Sequence, residues 1–207
     1  MINGIFTLDD FSIEGKVVLA RFDMNSPLSA DKKQLKDITR IKYSLPTLKE
    51  LSEKGAKTVI MIHQGGDPEY HNYGSTKQHA QIISELLGKE ILYVDDVCFE
   101  AAQSKIKGLK NGQILMLENV RFLAEELNLF ENKLKLTSEE QAETVLVKKL
   151  APLADLYITD AFAAAHRSQP SLVAFQEVLP SAMGRLFEKE LSRSEEHTSE
   201  LQSHHDL

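Results

Sequence analysis

Arg21-Phe22-Asp23-Met24-Asn25-Ser26-Pro27 sets a cation, a carboxylate and a carboxamide close together and closes them with a proline. Such groups grip a small polar ligand through side chains. Arg forks onto carboxylate or phosphate, Asp accepts from hydroxyls, and Asn both donates and accepts. Three further stretches repeat the theme: His63-Gln64-Gly65-Gly66-Asp67-Pro68, Glu118-Asn119-Val120-Arg121-Phe122, and Asp160 through His166-Arg167. Asp23 could be a base or nucleophile, but beside Arg21 and Asn25 it is better suited to orienting a substrate hydroxyl. Gly65-Gly66 has the look of a phosphate loop, yet neither G-x-G-x-x-G nor a Walker spacing occurs. His63, His71 and His79 are spaced too widely for one helix face and have no Cys/Asp cluster beside them, which argues against a metal.

These residues need elements that bring them together, and each polar stretch follows an apolar run. Val17–Arg21, Thr58–Ile62, Ile114–Leu117 and Leu156–Thr159 read as buried strands, with a short fifth at Ile91–Val94. Helical spacing predicts helices from Thr39 to Lys54, Thr76 to Leu87, Phe99 to Leu109 and Ser138 to Leu150. Gly55 and Gly88 act as stops, and Ser138-Glu139-Glu140-Gln141 has the form of a capping box. Leu123–Leu136 is harder to assign and is expected to include an irregular excursion. Alternation of this kind implies an α/β fold, a three-layer αβα doubly wound domain with a largely parallel sheet. In such a sheet all four polar exits face one edge, where ligands bind.

Arginine usage points the same way. Among the six arginines, Arg21, Arg40, Arg121 and Arg167 fall at strand ends or a helix start, whereas the lysines fall mostly on predicted helix faces. One Arg after a strand is ordinarily a surface residue; four on one edge imply an anion site. The formal net charge of −7 argues against nucleic acid or an anionic membrane as partner. A single cysteine, Cys98, suits a reducing compartment. No apolar run reaches the roughly 18 residues of a membrane span. A monomer in the cytoplasm is expected. From the residues alone, the ligand is a small phosphorylated or carboxylated metabolite. A Rossmann-type dehydrogenase would require the glycine fingerprint that is missing after the first strand.

The same residues resemble the phosphoglycerate kinase family. Arg21–Pro27 is similar to its first strand exit, Asp37-Ile38-Thr39-Arg40-Ile41 to its next motif, and Leu117–Phe122 to its Glu-Asn-Val-Arg-Phe signature. Asp160–Ser171 is a fourth match. Pro180–Leu191, with Gly184, resembles the passage into the interdomain helix. The wording Phe-Asp-Met-Asn-Ser-Pro looks closest to the archaeal branch, and the likeness runs from Ile5 to Leu191. It implies reversible phosphoryl transfer between ATP and 3-phosphoglycerate, giving ADP and 1,3-bisphosphoglycerate, with Mg2+. Carried over by position, Asp23 and Asn25 would meet the hydroxyl and carboxylate region. Arg40, His63, Gly66, Arg121 and Arg167 would lie at the substrate, with Arg40 also neutralising charge on the transferring phosphoryl. The implied domain is 1–180, with 181–192 opening the interdomain helix.

Two departures stand out. The family usually carries His-x-x-Arg-Pro after the second strand, and here Gly66 replaces the arginine. One charge-assisted contact of about 1.5–3 kcal/mol is then missing, worth about 10- to 100-fold in affinity. Lys77 and His71 are the nearest candidates to compensate. At the other end, Arg193–Leu207 leaves the family pattern and is similar to a translated sequencing-library adapter; a natural polar helix or tag is the alternative. Without its one Arg, three Glu and one Asp the net charge moves from −7 to −4. The expectation is a non-native tail, disordered or a frayed helical extension, standing where the nucleotide domain that holds ATP/ADP and Mg2+ would follow. This chain alone is then expected to bind without catalysing. The alternative is a stand-alone binding or regulatory protein for a small phosphorylated carboxylate.

Overall fold

The apolar runs form strands buried on both faces. In the computed structural model, which describes residues 1–2, 4–31, 34–66 and 73–203, these are β1 (Val17–Phe22), β2 (Lys57–Met61), β3 (Ile91–Tyr93), β4 (Ile114–Met116), β5 (Leu156–Asp160) and β6 (Ser181–Met183). They make one sheet in the order β3-β4-β2-β1-β5-β6, every pair parallel. The helices are α1 (Thr39–Glu53), α2 (Lys77–Leu87), α3 (Glu100–Lys107), α4 (Asn128–Leu134), α5 (Ser138–Gln141), α6 (Val145–Leu150), α7 (Pro170–Val173) and α8 (Arg185–Ser203).

Strand periodicity of two sorts the core into halves. Val18, Ala20, Phe22, Ile60 and Ile158 face one way, onto Ile41, Leu48 and Leu51 of α1 and Ile83 of α2. Leu19, Val59, Met61, Leu115 and Tyr157 face the other, onto Ile106 of α3 and Leu146 and Leu150 of α6. Helices on both faces of a parallel sheet give the expected three-layer α/β fold. Pro46 lies inside α1, where a proline costs about 3 kcal/mol. Full burial of Ile41, Leu48 and Leu51, at about 1.5–3 kcal/mol each, outweighs that cost.

Three expectations need correction. The sixth strand, β6, is too short for its alternation to show; it is placed by pairing Tyr157 with Ser181 and Thr159 with Met183. The helix expected over Ser138–Leu150 is two, α5 and α6, because the chain turns at Ala142–Thr144 and Thr144 Oγ1 donates to the Gln141 carbonyl at 2.6 Å. Its capping box starts one residue earlier. Thr137 Oγ1 accepts the Glu140 N–H at 3.2 Å, and Glu140 Oε2 accepts the Thr137 N–H at 2.8 Å. The stretch after Leu123 is partly irregular, as expected, and also holds the short helix α4. At the far end, α8 continues past Ser192 as one helix.

At β1 and β5 the chain leaves in opposite directions along the sheet, toward β2 and toward β6. Their carboxyl ends therefore flank a topological switch point, where an open α/β sheet forms its crevice.

Candidate anion-binding site

Arg21 occupies a core-facing position of β1 and is fully buried. Its Nε donates to Ser171 Oγ at 2.9 Å, Nη1 to the Phe22 carbonyl, and Nη2 to His63 Nδ1 at 3.1 Å. One turn of chain later, Asp23 receives Arg40 Nη1 on Oδ2 at 2.6 Å. Arg40 sits in the first turn of α1 with its side chain 51% exposed, so this ion pair has one foot in solvent.

Amide side chains lash the exits together. Asn25 Oδ1 accepts the Gly65 N–H at 2.9 Å, and Gln64 Nε2 donates to the Ser26 carbonyl at 2.8 Å. Asn119 Nδ2 donates to the carbonyls of Gln64 and Gly74, both at 2.8 Å, while its Oδ1 accepts the N–H groups of Gln64 and Arg121. Arg121 in turn donates to the Gly65 carbonyl. Burial pushes the Glu118 carboxyl up, but donors from Ser75, Tyr93, Thr76 and Asn119 outweigh it and hold the group below its ordinary value. Arg167 is drawn toward α4, where Glu131 Oε2 lies 2.9 Å from Nη2 and Asn128 accepts a further bond.

These contacts leave a cavity of about 140 Å³ lined by Arg21, Asp23, Arg40, His63, Arg121, His166, Arg167 and Gln169. Of the predicted site residues, Asp23, Arg40, His63, Arg121 and Arg167 meet there. Asn25 and Gly66 are not among the lining residues; Asn25 instead fixes the loop that carries Gly65. Lys77 is exposed at the start of α2 and does not line the cavity. His71, Asp67 and Pro68 lie outside the described residues. His63 is buried, and desolvation together with Arg21, Arg121, Arg40 and Arg167 drives its imidazole well below the usual histidine range, so the ring is neutral. The arginines make the cavity cationic, and His63 adds no charge to it.

Sequence reasoning missed Glu126, Ser171 and Gln169. Glu126 follows another glutamate in an irregular stretch and reads as surface, yet it is fully buried and its Oε2 accepts from Ser171 Oγ at 2.7 Å. Asp160 also behaves unexpectedly. It turns from the cationic cavity to hold α8, accepting from Thr47 Oγ1 at 2.7 Å and from the Phe187 N–H at 2.9 Å, while burial pushes its carboxyl up to about 6. A Cβ on Gly184 would lie 2.4 Å from Asp160 Cγ, so no side chain fits there. Leu186 and Phe162 line an adjoining cavity of about 280 Å³ that shares Asp23 and Arg40, and Phe187 packs edge-on against Phe162.

A doubly wound sheet whose switch point carries converging arginines around a small cavity defines an α/β domain with a cationic cleft. Comparison with known proteins narrows this. Residues 8–204 match the phosphoglycerate kinase family, described as "Phosphoglycerate kinase". The chain is 48% identical over 186 residues to the phosphoglycerate kinase of Methanobacterium bryantii and 49% identical over 185 residues to that of Methanothermobacter thermautotrophicus. These alignments cover 90% and 89% of this chain, and 44% and 43% of the relatives. The crystal structure of phosphoglycerate kinase from Pyrococcus horikoshii OT3 superposes with a TM-score of 0.84 at 44% identity, over 91% of this chain and 44% of that one. The chain belongs to the phosphoglycerate kinase family, in its archaeal form, and spans less than half the length of these relatives.

Proposed function

We propose that this chain carries the 3-phosphoglycerate-binding half of a phosphoglycerate kinase. The whole enzyme would move a phosphoryl group reversibly between ATP and 3-phosphoglycerate, forming ADP and 1,3-bisphosphoglycerate, in the cytoplasm. One observation carries this: Asp23, neutral His63, Arg121 and Arg167 from four strand exits, with Arg40 from the first turn of α1, converge on one small cavity. Arg121 and Arg167 suit the phosphate of the substrate, and Asp23 with Arg40 suits the hydroxyl and carboxylate end, whose carboxylate receives the phosphoryl group. Phosphoryl transfer depends on such placed cations more than on covalent help. Half-exposed Arg40 is the residue best situated to neutralise the moving group.

The residues described here do not fit the nucleotide's Mg2+. Arginines reject a cation, and no group of three His, Cys, Asp or Glu side chains among the described residues could hold one. Mg2+ and ATP are therefore assigned to the part of the family's length that this chain does not span. Titration calorimetry of the full chain tests the reading. 3-Phosphoglycerate should bind, turnover with ATP should be undetectable, and adding a separately produced nucleotide domain should restore it. A folded sample giving no heat with 3-phosphoglycerate would sink the proposal.

A further inference from the structure

A cation buried within a parallel sheet is costly unless it is paired and hydrogen-bonded. Arg21 makes no direct ion pair among the described residues and is held by hydrogen bonds instead, one of which ends on a ligand-facing ring. An arginine has five N–H donors and no acceptor. The 3.1 Å contact between Arg21 Nη2 and His63 Nδ1 therefore requires a bare lone pair on Nδ1. The ring is neutral, so its one proton sits on Nε2. Among the described residues no protein acceptor takes that proton, and His63 lines the cationic cavity.

Arg21 is itself held from behind. Ser171 Oγ accepts from Arg21 Nε at 2.9 Å and donates to Glu126 Oε2 at 2.7 Å. The Ser171 N–H donates to Glu126 Oε1 at 2.6 Å, and Tyr157 donates its hydroxyl hydrogen to the Ser171 carbonyl at 2.8 Å. All four side chains are almost wholly buried, so no water competes for these bonds. We propose that Glu126, Ser171 and Arg21 are positioning residues that lock His63 in its Nε2–H form, making the ring a donor to an anionic oxygen in the cavity. An unlocked neutral imidazole could turn a lone pair toward the same oxygen and repel it. This inference rests on the proposed 3-phosphoglycerate site and adds how one of its neutral groups is made selective for an anion.

The full chain labelled with 15N-histidine tests it through long-range 1H–15N correlations recorded without ligand. The parent protein should show His63 protonated on Nε2 only. Ser171→Ala should release a mixture of both tautomers and weaken 3-phosphoglycerate binding by about 5- to 10-fold, the loss of one well-placed hydrogen bond. Should Ser171→Ala fail to fold, Glu126→Gln should shift the tautomers in the same direction. A parent ring protonated on Nδ1, or a folded Ser171→Ala variant with unchanged tautomer and affinity, overturns the proposal. Because the tautomer is read without ligand, a parent that shows the lock and its release yet takes up no 3-phosphoglycerate upholds the positioning chain and defeats only the ligand.

Discussion

The exits of β4 and β1 carry similar polar residues and use them differently. After β4, Glu118 takes donors from Thr76 at 2.8 Å, Asn119 at 2.6 Å and Ser75 at 2.6 Å, and Asn119 makes four bonds to backbone groups. After β1, Asp23 accepts the Asn25 N–H at a longer 3.3 Å, and its strong partner is half-exposed Arg40. A buried amide bonded on every side cannot leave its partners without leaving them unsatisfied, so it serves as scaffold. An ion pair open to solvent can exchange its partner for a ligand at little cost. Residue type is alike at the two exits; the alternative partners available to each side chain separate framework from site.

The largest effect that would break this contrast is on stability. Asn119→Ala strands several buried backbone groups and should cost about 3 kcal/mol or more in denaturant unfolding. A loss below about 1 kcal/mol would mean that β4's exit is no scaffold.

The two buried carboxylates beside the site give a second test, of opposite sign. Burial raises Glu126 to about 7, so between its unfolded value and 7 the folded state holds a proton that the unfolded state lacks. Its stabilising contribution is present at low pH and is lost as pH rises through about 7. The parent should therefore lose roughly 3 kcal/mol relative to Glu126→Gln between about pH 4.5 and 7. Glu118 is held low, so the parent should gain on Glu118→Gln as pH rises and lose that gain in acid. Unfolding curves at several pH values check both. Equal slopes for the two variants would erase the distinction between a carboxylate held ionised by its donors and a buried one kept protonated.

Arg40→Ala should leave unfolding within about 1 kcal/mol of the parent while lowering 3-phosphoglycerate affinity about 10- to 100-fold. An affinity loss matched by an equal stability loss would move Arg40 into the framework. The smallest effect is expected at Arg167, whose partner Glu131 competes with any anion. Glu131→Gln should tighten binding by about 2- to 5-fold in calorimetry; weaker binding would show that Glu131 orients Arg167 instead.

Much of this was legible beforehand because periodicity and punctuation are local. Val17–Arg21 and the other apolar runs announced strands, and Gly88 closes α2 in the left-handed conformation at φ 61°. The scarce arginines marked the exits. The unread parts were distant pairings. Ser171 lies 45 positions from Glu126 and 150 from Arg21, and no local pattern joins them. In the sequence Gly184 is only part of a family motif; in the fold, Asp160 fills the space that a side chain there would need.

The sequence by itself determined that strands would alternate with helices and that four polar exits would share one sheet edge, because strand and helix periods and parallel crossovers leave few alternatives. Only the tertiary structure decided what each polar group does there. It buried Arg21 and Glu126, left Arg40 half in water, and turned Asp160 from the anion cavity toward α8. Desolvation and partner geometry set those roles, and both arise from residues brought together across the chain.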